Sequence, residues 1–362
     1  MTRKKLRYGL VVIAVVVTVL ILFSPEDPVS VPLSEELSST TKGARILGID
    51  ITMAQDNDYD AAFSIAKDIG VQEVGLFFNW DSIETSPRKY DNPNFAIANT
   101  YYPAHNTMVS LTITPIHTNR LVVPDDLQHT NLDDPEMISR FTSMLDWVFT
   151  QIPDLDLHSL VIGSEFDVYF GTDKPQWVEY ETFFKEVKAH IKKINPDIIV
   201  TAEVTFNGLT GDAKEYAQSL NKYTDVIGVS YYPLNKDYTV KAPSVVHSDF
   251  DTLTTLYKGR IIYFYQLGYP SSTSLTSSQE KQKQFIKEVF KAWDQHASQI
   301  RLIDFTWLHD IPPEGVMECT QFYGVSDYRF QEFLSTLGLR TYNGKDKEAL
   351  RALREEAKKR GW

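Results

Sequence analysis

The stretch IIYFYQLGYPSS, residues 261–272, is an apolar, aromatic run that stops at a polar side chain, Gln266, and then turns at Gly268, Tyr269 and Pro270. A short run without polar alternation reads as a strand buried on both faces, the kind that parallel sheets contain. It is seventh in a series. The others are ARILGID (44–50), QEVGLFF (72–78), MVSLTIT (108–114), SLVIGSE (159–165), DIIVTAEV (197–204), DVIGVSYY (225–232) and IRLIDFTW (300–307). Amphipathic stretches separate them, among them 58–70, 135–152, 175–194 and 277–296, the last two with proline or serine near the start. Eight strands alternating with helices predict an α/β chain with a parallel sheet, and eight is the number that closes a (β/α)8 TIM barrel. The competing arrangement, an open doubly wound sheet, usually carries a glycine-rich phosphate loop after its first strand, and GIDITMAQDND (48–58) is not one.

Charge is unevenly spread. The 362 residues carry 36 Lys and Arg against 48 Asp and Glu, a formal net charge of −12. Four of the positives, Arg3, Lys4, Lys5 and Arg7, precede the first acid, so the rest holds 32 basic against 48 acidic residues, or −16. Such a surface repels phosphate backbones, which argues against nucleic acid as a partner. The basic opening leads into YGLVVIAVVVTVLILF (8–23), 16 residues without a charge. That length lies between a signal-peptide core and a bilayer span of about 20 residues. No small-x-small cleavage site follows in SPEDPVSVP (24–32). The expectation is a membrane anchor at 1–23, or a signal segment if it is cleaved, with the domain anchored or secreted outside the cytoplasm. A tether at 24–43 precedes a barrel at 44–342, and 343–362 is a C-terminal charged helix. With a thin apolar stripe at Leu350 and Leu353, that helix is predicted to be a solvated surface element. Cys319 is single, so no intrachain disulfide can form.

In such a barrel, function is built at the carboxyl ends of the strands. The polar and aromatic residues there are Asp50; Asn79, Trp80 and Glu84; His117, Asn119 and Arg120; Glu165 and Asp167; Glu203 and Asn207; Tyr231 and Tyr232; Gln266; and Trp307 and His309. The eight histidines are scattered without ligand spacing, and neither a Gly-x-Ser-x-Gly elbow nor a Gly-x-x-x-x-Gly-Lys loop occurs. No metal and no cofactor is therefore expected. Carboxylates facing aromatic side chains in a strand-end cleft suit glycoside hydrolysis, with carbohydrate as the partner.

Four stretches then carry a resemblance. NWDSIETSPRKYD (79–91), LVIGSEFD (160–167), DVIGVSYYP (225–233) and YQLGYPSS (265–272) resemble, in order and spacing, the clan of retaining (β/α)8 glycoside hydrolases, and most its endo-galactanase-like members. GLRTYNGKDKEAL (338–350) is similar to the closing segment of those proteins. The resemblance implies Glu165 as acid/base, Tyr231 or Tyr232 as the tyrosine that supports the nucleophile (Tyr231 is taken first), and Trp307 as the sugar platform. Asp50, Trp80, His117, Asp167, Glu203, Asn207 and Tyr232 are further candidate contacts. Two positions depart from the pattern. Ser164 stands where the clan has an asparagine that holds the sugar 2-hydroxyl, and Gln266 stands at the nucleophile position. A neutral amide cannot form a glycosyl ester, so the two-step retaining route is closed. Three readings follow: a carbohydrate binder that does not cleave, an active glycosidase with Glu165 as acid and a substrate-assisted or inverting route, or a membrane-tethered interaction module without a sugar site. The segment 308–327 has two readings, a cover over the cleft or packing against the barrel wall, and packing is the expectation.

Overall fold

All eight apolar runs are strands: β1 (Ile46–Ile49), β2 (Glu73–Asn79), β3 (Met108–His117), β4 (Leu157–Ser164), β5 (Ile199–Thr205), β6 (Ile227–Tyr231), β7 (Ile262–Leu267) and β8 (Ile300–Phe305). Each pairs in parallel with its chain neighbours, and β1 also pairs with β8, with Gly48 opposite Asp304. That pairing closes the sheet into a barrel and excludes the open alternative. These relations come from a computed structural model that describes residues 41–51 and 54–362. The hydrophobic segment 8–23 and most of the tether lie outside the described residues. Among those described, no helix is long and apolar enough to cross a membrane.

The helices that cover the barrel are α1 (Tyr59–Ile69), α2 (Asn94–Ala104), α3 (Pro135–Gln151), α4 (Lys174–Ile194), α5 (Lys214–Leu220), α6 (Val245–Leu256), α7 (Gln279–Gln295), α8 (Pro313–Tyr323), α9 (Tyr328–Thr336) and α10 (Glu348–Arg360). Their starts follow local chemistry. Asp58, Asp134, Asp173 and Ser278 accept hydrogen bonds from backbone amides of the first turns of α1, α3, α4 and α7. Gly70, in the left-handed region at φ 96°, ends α1. Inward stripes such as Phe285, Ile286, Val289, Phe290 and Trp293 of α7 are fully or nearly fully buried against the strands.

Two expectations change. The tail helix α10 is docked rather than solvated: Ala349, Leu350, Ala352, Leu353 and Ala357 are buried. Three of these are alanines, which read as neutral on a charged helix yet let α7 approach closely. Arg360 completes the seal through Asp294 at 2.7 Å, and Trp362 stacks on Trp293. The segment after β8 is also more than wall packing. Through α8 and α9 it carries a second apolar cluster of Ile311, Val316, Phe330, Phe333, Leu334 and Leu337, against which Tyr232 and Trp307 pack.

Candidate functional site

The end of β4 is irregular, and that irregularity delivers the acid. Gly163 adopts φ 84°, and a Cβ there would fall 2.5 Å from the Tyr180 hydroxyl oxygen. The pairings of β4 with β3 and β5 both shift register at this point. Glu165 follows with φ 53°, a left-handed conformation that a non-glycine residue keeps only when its surroundings over-determine it. Its carboxylate accepts hydrogen bonds from Thr118 Oγ1 at 2.8 Å and Ser230 Oγ at 2.6 Å. Neither hydroxyl stands out in the sequence, although each adjoins a residue that does.

Gln266, at the end of β7, is the register partner of Ser230, whose hydroxyl holds Glu165. Gln266 Oε1 accepts from the Tyr232 hydroxyl at 2.8 Å, and its Nε2 lies 3.2 Å from Glu203 Oε2 and 3.4 Å from Ser164 Oγ. Ser164 Oγ in turn donates to Glu203 Oε2 at 2.7 Å. Glu203 is 1% exposed, and its other oxygen has no hydrogen-bond partner. Burial, reinforced by the nearby Glu165 charge, pushes the Glu203 carboxyl up to about 8, while the Ser164 and Gln266 bonds pull the other way. The balance favours the neutral form of Glu203 more than that of a solvated carboxyl.

Around these groups lie His117, Trp307 and Asp50. His117 Nδ1 bonds Asn79 Oδ1 at 3.1 Å and its Nε2 bonds the Tyr323 hydroxyl at 2.9 Å, which fits a neutral ring protonated on Nδ1. Burial, followed by the Arg120 charge, lowers the ring to about 4. Trp307 is half-buried and follows a cis peptide bond from Thr306. Asp50 ends β1 partly buried, and its charge acts on Tyr232.

Other candidates are placed elsewhere. Trp80 is fully buried, donates its indole N–H to Glu84 at 2.9 Å and packs edge-on against Phe141, so it offers no face to a sugar. Glu84 also accepts from Arg140, making this motif a buried structural hub. Tyr231 is 1% exposed, donates to Asp249 at 2.7 Å and packs among Phe206, Phe250 and Phe264; Tyr232 is the tyrosine that reaches Gln266. Asp167 spends both oxygens on the backbone N–H and hydroxyl of Thr205, and burial raises it to about 6. Asn207 is exposed, on the short helical turn that follows β5. His309 is buried beside Arg340. Tyr323, absent from the sequence-based candidates, comes from α8 and is half-buried; desolvation pushes its hydroxyl up, and the Glu165 charge adds to this. Among the described residues, no group of three or more His, Cys, Asp or Glu side chains could hold a metal ion.

No protein-family model matches the chain, and no curated protein matches it. Solved structures do. The exo-β-1,4-mannosidase Op5Man5 from Opitutaceae bacterium strain TAV5 matches with TM-score 0.69 at 15% identity over 90% of this chain. This chain spans 62% of the length of that protein. A GH5_18 protein from Streptomyces cattleya matches with TM-score 0.67 at 15% identity, over 87% of this chain and 80% of its own. The GH53 catalytic domain from Ignisphaera aggregans matches with TM-score 0.64 at 16% identity, over 86% and 96%. At these identities the likeness is one of fold: a glycoside hydrolase-like barrel.

Proposed function

We propose that this chain is a carbohydrate-binding protein built on a glycoside hydrolase-like barrel, which holds sugar at the strand ends without cleaving it by the retaining two-carboxylate route. One observation carries the reading. The group that the resemblance assigns to nucleophilic attack is an amide, fixed at both ends by Tyr232 and Glu203. The carboxyl that adjoins it, Glu203, is shut from solvent, and burial favours its neutral form, which makes it a poor nucleophile. What remains at the strand ends is a set of aromatic and hydrogen-bonding side chains, Trp307, Tyr232 and His117, of the kinds that bind sugars. The expected placement outside the cytoplasm, with 8–23 as anchor, belongs to the same proposal. A mature amino terminus found between residues 24 and 43 would overturn the anchor and leave secretion.

Glycan-array binding and hydrolysis assays on one preparation test the reading. The Streptomyces cattleya neighbour is described in complex with Manβ1-4GlcNAc, which makes that disaccharide a first probe, beside plain and N-acetylated aryl glycosides. The expected result is binding without hydrolysis, with Glu165→Gln weakening binding modestly. Turnover that Glu165→Gln abolishes would sink the proposal, because it would show Glu165 acting as an acid.

A further inference from the structure

The two positions at which this chain departs from the motifs it resembles, Ser164 and Gln266, meet on one atom. Ser164 Oγ lies 2.7 Å and Gln266 Nε2 3.2 Å from Glu203 Oε2, although Glu203 is on β5, Ser164 on β4 and Gln266 on β7. Strands β5 and β7 are not neighbours, since β6 lies between them, so the two side chains meet across the interior of the barrel mouth. We propose that Glu203 is the positioning partner of Gln266 and the reason that position 266 holds an amide: two ionised carboxylates, one on β5 and one on β7, cannot share this floor.

Donors and charges decide which pair fits. With Gln266, a nitrogen carrying hydrogens faces the Glu203 oxygen. With glutamate at 266, an oxygen would take that place at the same separation, and two carboxyl oxygens approach this closely only by sharing a proton. Neighbouring charge does not relieve the pair. Glu165 and Asp167 at the end of β4 both act on Glu203 to disfavour its ionised form, and the Glu203 charge is felt by Tyr232 after β6, Tyr265 on β7 and Tyr323 on α8. These facing groups are acids and phenols. A glutamate placed at 266 alone would therefore be held protonated or would strain the fold, and Gln266→Glu by itself is the wrong way to install a nucleophile. The exchange has to be made in pairs, with Glu203→Gln supplying the amide from the other side.

This inference deepens the proposed function by explaining the amide on which it rests, yet its test uses no sugar, so a failed search for a ligand leaves it open to judgement. Thermal melting of the full chain in mild detergent is followed from pH 5 to pH 8 for the wild type, Gln266→Glu, Glu203→Gln and the double variant. Gln266→Glu is expected to match the wild type at pH 5 and to melt at least about 3 °C lower at pH 8. Adding Glu203→Gln is expected to remove that pH-dependent gap. If Gln266→Glu follows the wild type at every pH, or if the gap persists in the double variant, the proposal is overturned. If Gln266→Glu does not fold, recovery of folding in the Glu203→Gln background supports the pairing, and no recovery overturns it.

Discussion

Trp80 and Tyr231 were read at the mouth of the barrel and belong to its wall. Removing the Trp80 indole N–H leaves the buried Glu84 Oε2 without its donor, so Trp80→Phe is expected to cost about 1–3 kcal/mol of stability and to leave sugar binding unchanged. The adjacent tyrosines separate in the same way. Tyr231→Phe strips Asp249 of a partner and lowers stability by about 1 kcal/mol, whereas Tyr232→Phe frees Gln266 Oε1 and weakens binding instead. Melting and glycan binding measured on both variants check this, and a reversed pattern would refute the placement. The sequence could not distinguish the two. Successive side chains along a strand face opposite sides, so a Tyr-Tyr pair always places one ring in each environment, and which is which depends on register. Glu165 was legible because it closes an apolar run and because LVIGSEFD resembles the clan's acid/base motif. Thr118 and Ser230, which hold it, were not, because a lone hydroxyl carries no signal until its partner is known.

Elements show a similar division. Of the covering helices, α1, α3, α4 and α7 were readable from their amphipathic stretches, while the crossing made by the segment after β8 was not. There Arg120 donates to the Phe322 carbonyl at 2.7 Å and Asn119 to that of Tyr323 at 2.8 Å, so α8 is tied back to the turn after β3. Arg120→Ala is expected to speed amide hydrogen exchange in α8 while protection of the barrel strands is unchanged; equal protection throughout would show that the latch contributes nothing. The return of the chain toward α10 depends on a buried ion pair, Lys347 with Asp310 at 2.6 Å, both 5% exposed or less. Replacing Lys347 by Met leaves a buried acid unpaired, at an expected cost of about 3–5 kcal/mol in denaturant unfolding. A loss below about 1 kcal/mol would mean that Asp310 is satisfied elsewhere.

At the scale of the whole molecule, buried acids govern how stability varies with pH. Burial raises Glu73 to about 7, Asp167 and Asp310 to about 6 and Glu203 to about 8, and moves Asp304, against Glu73 inside the barrel, upward as well. A group whose folded pKa is raised keeps its proton in the folded chain after the unfolded chain has lost it. Its contribution is complete below the unfolded value near 4 and is lost as pH rises through the folded value, at about 1.4 kcal/mol per pH unit for each such group. His117 works in the opposite sense: its folded pKa is lowered to about 4, so its contribution grows between about pH 4 and 6.5. Burial raises Asp81, Glu179 and Asp249 as well and lowers His158, so among the described residues eight raised acids oppose two histidines. The melting temperature is expected to fall from pH 5 to pH 8, with Glu203→Gln flattening the upper part of the slope; a rise over that range would contradict these assignments.

The alternation of eight apolar runs with amphipathic stretches determined the barrel, because the period of hydrophobic residues records which faces must leave water and does so locally. The same runs placed Glu165, Gln266 and Trp307 at strand ends, since strand order and direction fix the carboxyl-end face. What only the tertiary structure decided are the relations between residues distant in the chain. Glu203 lies 63 residues from Gln266 in sequence and 3.2 Å from it in space, Tyr323 reaches His117 across the mouth, and the alanines of α10 accept α7. Such relations depend on shape, register and close approach, which the closed sheet creates and no short stretch of sequence contains.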